Sequence, residues 1–268
     1  MVSSLRLSLA PVMMIAAMLA SPALGQDAGE ATSDSVTPEQ ILAGSNLFNG
    51  GSCIICHAIA GKGSGTRAPD LSDVEWLHSQ GDLDGILQTI SQVGEAMGVP
   101  ERAEQFMVEL AVRLDRVREL VADIPRPTVL GIEWLDPPFI PGHWVPEMIE
   151  IAGGSDLMGS TGQRSVQVGW SELGGLDPDV LLIMPCGYDL DAARNDAHRY
   201  ADRLREVAPR AISEGRAFVV DASSYFNRSG PRVVDGVEIL AALLNPGRFP
   251  DAHLEGRGAV WNPPDTEA

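Results

Sequence analysis

Positive charge is scarce in this chain. Its 268 residues include 19 Lys and Arg against 37 Asp and Glu, and a single lysine, Lys62. The formal charge of −18 repels phosphate backbones and anionic headgroups, which excludes nucleic acid as a default partner. Cysteine is scarce too. Three residues, Cys53, Cys56 and Cys186, are too few for a disulfide scaffold. Long apolar runs are also lacking. Leu7 to Ala20 falls short of the roughly 20 residues that cross a bilayer, and Pro11 interrupts it, so this is no polytopic membrane protein. A mean hydropathy of +0.02 and 44% hydrophobic residues nonetheless suffice for a core.

The first residues speak of compartment. Arg6 precedes the apolar run, and Ala23-Leu24-Gly25 is a small-x-small cleavage pattern. Residues 1–25 therefore read as a secretory signal peptide, with an uncleaved anchor as the alternative. Either way the chain is expected to be exported, in the periplasm or an equivalent space. The polar stretch 26–36 reads as a flexible linker.

Thr37-Pro38-Glu39-Gln40 opens a helix with a capping box and proline at its first position. Asn49-Gly50-Gly51 breaks it, and Cys53-Ile54-Ile55-Cys56-His57 follows. Cys-x-x-Cys-His is the attachment pattern for c-type haem: two thiols one turn apart reach the two vinyl groups, and the next histidine lies under the iron. A thioredoxin-like redox pair, a zinc site and a plain Cys53–Cys56 disulfide are the competing readings. Leu42-Ala43-Gly44, Leu47-Phe48, Gly61-Lys62-Gly63 and Ala68-Pro69-Asp70-Leu71 together resemble a class I cytochrome c over about residues 37–97. That resemblance implies a small all-α domain. Within it Pro69 would orient His57, Leu71 would pack on the haem, and Met97 would be the sixth iron ligand. The loop around Met97 is shorter than the family's, so Met ligation, His ligation and an open position all stand.

From Pro100 the pattern changes. Apolar residues at Phe106, Leu110, Leu114, Val117 and Val121 predict one long helix to about Asp123, within a connecting segment 98–126. Apolar runs at 128–132, 166–168, 180–184 and 217–221 then alternate with helical stretches, including one over Leu190 to Val207, which predicts an α/β sheet. Ser171 is the expected cap of a short helix, and 251–268 is the expected tail. Glu133-Trp134-Leu135-Asp136-Pro137-Pro138-Phe139, Gly142-His143-Trp144, Met184-Pro185-Cys186-Gly187-Tyr188 and Tyr225-Phe226-Asn227-Arg228 resemble cobalamin-type periplasmic binding proteins. The likeness covers their connecting helix and C-terminal lobe, about residues 83–250, with the lobe itself at 127–250. It implies ligand contacts at Trp134, Phe139, His143, Trp144, Tyr188, Tyr225 and Phe226, aromatic faces suited to a flat corrinoid. Cys186 reads as a small buried hydrophobe. The cytochrome-like segment stands where the family's first lobe would be, so Phe106 and Leu110 of the long helix are candidates to cover the haem edge.

No Ser/His/Asp set, phosphate loop or carboxylate pair stands out, so an electron carrier or binding protein is expected rather than an enzyme. The motif favours an exported electron-transfer protein carrying haem c and its iron, with a basic redox partner. The alternative is a corrinoid or iron-chelate binding component of an ABC uptake system, with a permease as partner.

Overall fold

A computed structural model describes residues 81–264, together with Glu39, Leu42, Asn46, Ala58–Ile59 and Lys62–Gly63. The chain divides into two units, residues 1–44 and 45–268. Glu39, Leu42 and Asn46 are helical, in line with the expected first helix. Next come β1 (Ala58–Ile59) and β2 (Lys62–Gly63), an antiparallel pair. This corrects the all-α expectation for the stretch after the cysteine motif.

A helical hairpin leads into the α/β lobe. Helix α1 (Leu83–Ala96) starts at Asp82, whose carboxylate accepts from Gly85 N at 2.7 Å. Helix α2 (Pro100–Val121) starts with proline at its first turn, where the missing N–H costs nothing. Two glycines make the turn possible. Gly98 has φ +71°, and a Cβ on Gly94 would collide with the Ala103 methyl of α2, so the helices approach closely only because both positions are small. At 22 residues, α2 is about 33 Å long. Its buried stripe of Leu110, Leu114, Val117 and Val121 follows the helical period.

The remaining elements are β3 (Thr128–Ile132), β4 (Trp134–Leu135), β5 (Pro138–Ile140), α3 (Val145–Ile151), β6 (Ser155–Asp156), β7 (Val166–Gln167), α4 (Trp170–Leu173), β8 (Val180–Ile183), α5 (Leu190–Arg199), α6 (Ala201–Val207), α7 (Pro209–Ser213), β9 (Ala217–Val220), α8 (Ala222–Tyr225), α9 (Val233–Leu244), a 3₁₀ turn at Asp251–His253 and β10 (Gly258–Val260). The main sheet runs β10-β9-β8-β3-β6, with β3, β6, β8 and β9 parallel and β10 antiparallel. A second sheet, β4-β5-β7, is antiparallel. Successive residues of the central strands enter two different cores. Val129, Val180, Leu182 and Val220 pack with α1, α2, α3 and α9 on one face. Leu130, Leu181, Ile183 and Val219 pack with α4 to α7 on the other. Burial on both faces explains why these strands read as unbroken apolar runs.

The structure departs from expectation in four further places. The single helix predicted over Leu190 to Val207 is two, divided at Tyr200. Gly169 rather than Ser171 caps α4, with Glu172 accepting from Gly169 N at 2.5 Å. The expected tail instead supplies β10 and Trp261, which is only 1% exposed. Leu110 is buried in the lobe's core, so it is not available as an outward cover for a haem edge. Among the described residues no helix is long and apolar enough to cross a membrane.

Polar ties fix the frame. Arg113 on α2 reaches Asp235 and Glu238 on α9, the latter at 2.6 Å. Leu83 N donates to Glu147 on α3 at 2.9 Å. Asn245, buried at the end of α9, donates to Ala152 O and Ala241 O at 3.0 Å each. At the amino ends of β3 and β8, the Asp179 carboxylate accepts from Thr128 N and Thr128 Oγ1, both at 2.7 Å, and from Arg210. The Thr128 amide first, then the Arg210 guanidinium, hold the Asp179 carboxyl down to about 2.

Two outcomes are expected. Leu114→Ala should destabilise the lobe by roughly 2–5 kcal/mol in chemical denaturation, and an unchanged midpoint would contradict the buried role of α2. The depressed Asp179 value means its contribution is complete above its ordinary value of 3.8 and is lost as pH falls through about 2. Asp179→Asn should therefore lower stability at neutral pH and flatten the loss over that acid window; parallel curves for both proteins would refute this.

Candidate functional site

Ligands of open α/β sheets bind beyond the carboxyl ends of the parallel strands. Connections leave those ends after β3, β6, β8 and β9, and hydrogen bonds tie those after β3, β8 and β9 together. The β3–β8 pairing continues past the strands, with Met184 N donating to Ile132 O and Cys186 N to Glu133 O, each at 2.9 Å. Gly187 N donates to Asn227 Oδ1 at 2.9 Å, and Ser223 N to Tyr188 O at 3.0 Å. Gly187 has φ +80° with open space around its missing Cβ.

On this scaffold the aromatic residues form pairs. Trp134 meets Tyr188 edge to face with ring centres 5.6 Å apart, and its Nε1 donates to Asp136 O at 2.9 Å. Phe139 lies opposite Trp134 across the β4–β5 pair. Trp144 sits against His143, 5.8 Å between ring centres, and donates from Nε1 to Phe226 O at 2.8 Å. The Arg257 guanidinium covers the Tyr225 ring at 5.5 Å. Trp134, Phe139, His143, Trp144, Tyr188 and Tyr225 are all half-buried, a state that leaves aromatic surface for a ligand. Phe226 differs. It is fully buried, so its side chain is a core residue and only its carbonyl serves the site. Cys186 is corrected in the opposite direction: it is exposed, because it lies on the loop beyond β8 rather than in the strand.

The titratable groups here are shifted toward neutrality. Burial raises the Glu133 carboxyl, although a hydrogen bond with Ser165 opposes it. Burial, and then the nearby Arg164 charge, lower the His143 imidazole. His143 adopts φ +58°, an unusual conformation for a residue with a side chain. It is held by His143 N donating to Gln163 O at 2.6 Å and by Gly162 N donating to His143 O at 2.8 Å. Gly142 is required beside it, since a Cβ there would lie 2.6 Å from the Arg164 carbonyl carbon. Among the described residues, no three His, Cys, Asp or Glu are grouped so as to hold a metal.

Sequence reasoning missed Asn227, Arg257 and the Tyr200–Asp136 contact of 3.2 Å. Asn227 lies inside a run that carried the resemblance, whereas Arg257 lies in the supposed tail and reaches the site only because β10 pairs with β9. Met97 closes α1 with 72% exposure, neither in the core nor facing this site. Cys53, Cys56, His57, Pro69 and Leu71 lie outside the described residues.

The family described as "Periplasmic binding protein" matches residues 71–211, more than half of the chain. No curated protein matches it. Among solved structures it resembles a periplasmic heme binding protein from Pseudomonas aeruginosa at 23% identity and TM-score 0.55, covering 80% of this chain and 77% of that one. It also resembles an ABC transporter substrate-binding protein from Listeria monocytogenes EGD-e at 16% identity and TM-score 0.54, covering 61% and 65%. A periplasmic vitamin B12 binding protein from Vibrio cholerae matches at 20% identity and TM-score 0.52, covering 62% and 63%. The chain thus spans less than two thirds of the Listeria and Vibrio proteins, and at these identities the likeness is one of fold. The matched family, the two-core sheet and the ligand-side loops agree: the chain belongs to the periplasmic binding protein family, a family of the periplasm.

Proposed function

We propose that the chain is a substrate-binding component of an ABC uptake system, with a permease as partner and a flat metal chelate as substrate. The carrying observation is the half-buried aromatic face, Trp134 with Tyr188 and Trp144 with His143, on three loops tied at the carboxyl ends of β3, β8 and β9. Aromatic faces bury planar surface with little loss of side-chain freedom. Burial shifts Glu133 upward and His143 downward, each toward its uncharged form, which suits a delocalised ring such as a corrinoid or a haem. The Pseudomonas and Vibrio proteins, named for heme and vitamin B12, support this choice of chemistry. The ranking is the reverse of what the sequence suggests, where the cysteine motif put electron transfer first. Binding rather than catalysis is the activity of the family.

Titrating the exported protein with haemin and with cyanocobalamin, followed by tryptophan fluorescence and visible absorbance, tests the proposal. Micromolar or tighter binding to one of them is expected. Trp134→Ala or Tyr188→Ala should weaken it by about tenfold, ~1.4 kcal/mol. Absence of binding for both chelates, or full binding in both variants, would overturn it.

A second reading rests on the Cys53-Ile54-Ile55-Cys56-His57 motif alone. It assigns haem c to a cytochrome-like segment 37–97, attached at Cys53 and Cys56 with His57 on the iron, Pro69 and Leu71 around it, and a basic redox partner. The haem would supply one-electron chemistry. Expression with haem-attachment machinery should give a covalent pyridine-reactive chromophore that Cys53→Ala/Cys56→Ala removes. A colourless wild-type chain would end that reading without touching the first.

A further inference from the structure

The α1–α2 hairpin carries a groove on one flank. Leu87 of α1 and Met107 and Val108 of α2 form its floor, with Val108 57% exposed. Asp84, Glu95 and Glu104 stand exposed along its rim. No Lys or Arg is present among the described residues that line it. Asp84 and Glu95 lie at opposite ends of α1, about 16 Å apart along the axis. Two antiparallel helices with an apolar channel between them are two thirds of a three-helix bundle, and a third helix packs into such a channel ridge against groove. Carboxylates at both ends select what the third helix carries, because burial beside unpaired charge is unfavourable unless the opposite charge comes with it.

We propose that this groove docks an amphipathic helix of another protein, with an apolar stripe and a Lys or Arg about three turns apart at its two ends. The chain's own sequence supplies no such segment before Gly81: its only cations there are Arg6, Lys62 and Arg67, and Lys62 lies in β2. A second copy is also a poor match. The four arginines on its helices α5 and α6 are already paired with neighbouring acids, Arg194 with Asp191 and Arg205 with Asp202 at 2.8 Å, Arg203 with Glu206 at 3.2 Å and Arg199 with Asp196 at 3.6 Å. A copy would also bring a charge of −18 toward an acidic rim. The groove is independent of the aromatic face, so its occupant is expected to bind whether or not a chelate is present.

The test uses the exported full chain and a fluorescein-labelled peptide of about 18 residues, helical, with a leucine stripe and lysines at both ends. Fluorescence anisotropy should show micromolar binding that weakens with added salt. Glu95→Lys/Glu104→Lys should reduce affinity at least tenfold. Glu214→Lys/Glu255→Lys, which reverses as much charge at exposed positions elsewhere, should leave it within about twofold. Val108→Asp should also weaken binding although it adds negative charge, and the two charge-reversal variants keep the test decisive if that protein fails to fold. No binding, or equal loss in both double variants, would overturn the proposal. So would sedimentation showing a dimer that Glu95→Lys/Glu104→Lys abolishes, since the occupant would then be a second copy.

Discussion

The backbone pairing of β3 with β8 is the constraint on which the rest depends. Four residue pairs, from Val129 with Val180 to Ile132 with Ile183, lie in parallel register. Because both faces of these strands are buried, the apolar pattern alone selects register weakly: a slip would still put hydrophobic side chains inside. The Asp179 carboxylate provides the missing specification. It accepts both the amide and the hydroxyl of Thr128 and so fixes which residue of β8 stands beside the start of β3. The same register, carried about 13 Å along the strands, delivers Met184 and Cys186 to the carbonyls of Ile132 and Glu133. The ligand-side loops thus inherit their positions from a polar clamp at the opposite end of the sheet.

Helix α2 plays a complementary part. Its stripe of Leu110, Leu114, Val117 and Val121 closes the core that also holds α9 and the Met148 face of α3, while Arg113 holds Asp235 and Glu238. Removing the guanidinium would leave two partly buried carboxylates without their main partner, which is unfavourable. Gly153 shows how tight the contact is: at φ +90° it leaves 2.9 Å between its absent Cβ and Val121. At the hairpin end the close contact of α2 is with α1, at Gly94 against Ala103, and there the exposed apolar residues Val93, Met97, Val99 and Phe106 accumulate.

Much of this was legible from the residues alone. The long helix from Pro100, the strands around Val129, Leu182 and Val219, and the helix from Val233 follow from period and from unbroken apolar runs. The aromatic face was legible by resemblance, since Trp134, His143, Trp144 and Tyr188 sit in distinctive runs. What escaped depends on long-range pairing. β10 is three residues long, too short to carry a pattern, and without it Arg257 has no reason to meet Tyr225. The resemblance puts both Tyr225 and Phe226 among the ligand contacts, because sequence cannot tell which of two adjacent aromatics turns inward; Ala222 and Phe226 cover the core while Tyr225 turns toward Arg257. Cys186 departs from expectation for a related reason: it lies three residues past the end of β8, beyond the reach of that strand's burial.

The electrical character of the face contrasts with the net charge of the chain. A chain of charge −18 surrounds a region in which burial raises the carboxyl of Glu133 and lowers the imidazole of His143. Both shifts favour the uncharged form, and burial is the largest cause of each. Charge that remains is delocalised or shared, as in the Arg257 guanidinium over the Tyr225 ring. A ligand with a broad conjugated plane gains from such a surface, because it loses little hydration on leaving water and meets rings rather than fixed ions. A compact hydrated anion would gain little from the aromatic faces and would meet the long-range repulsion of the acidic surface on approach. The charge distribution therefore adds to the aromatic pairs, which carry the proposal of a flat chelate over a small ionic substrate.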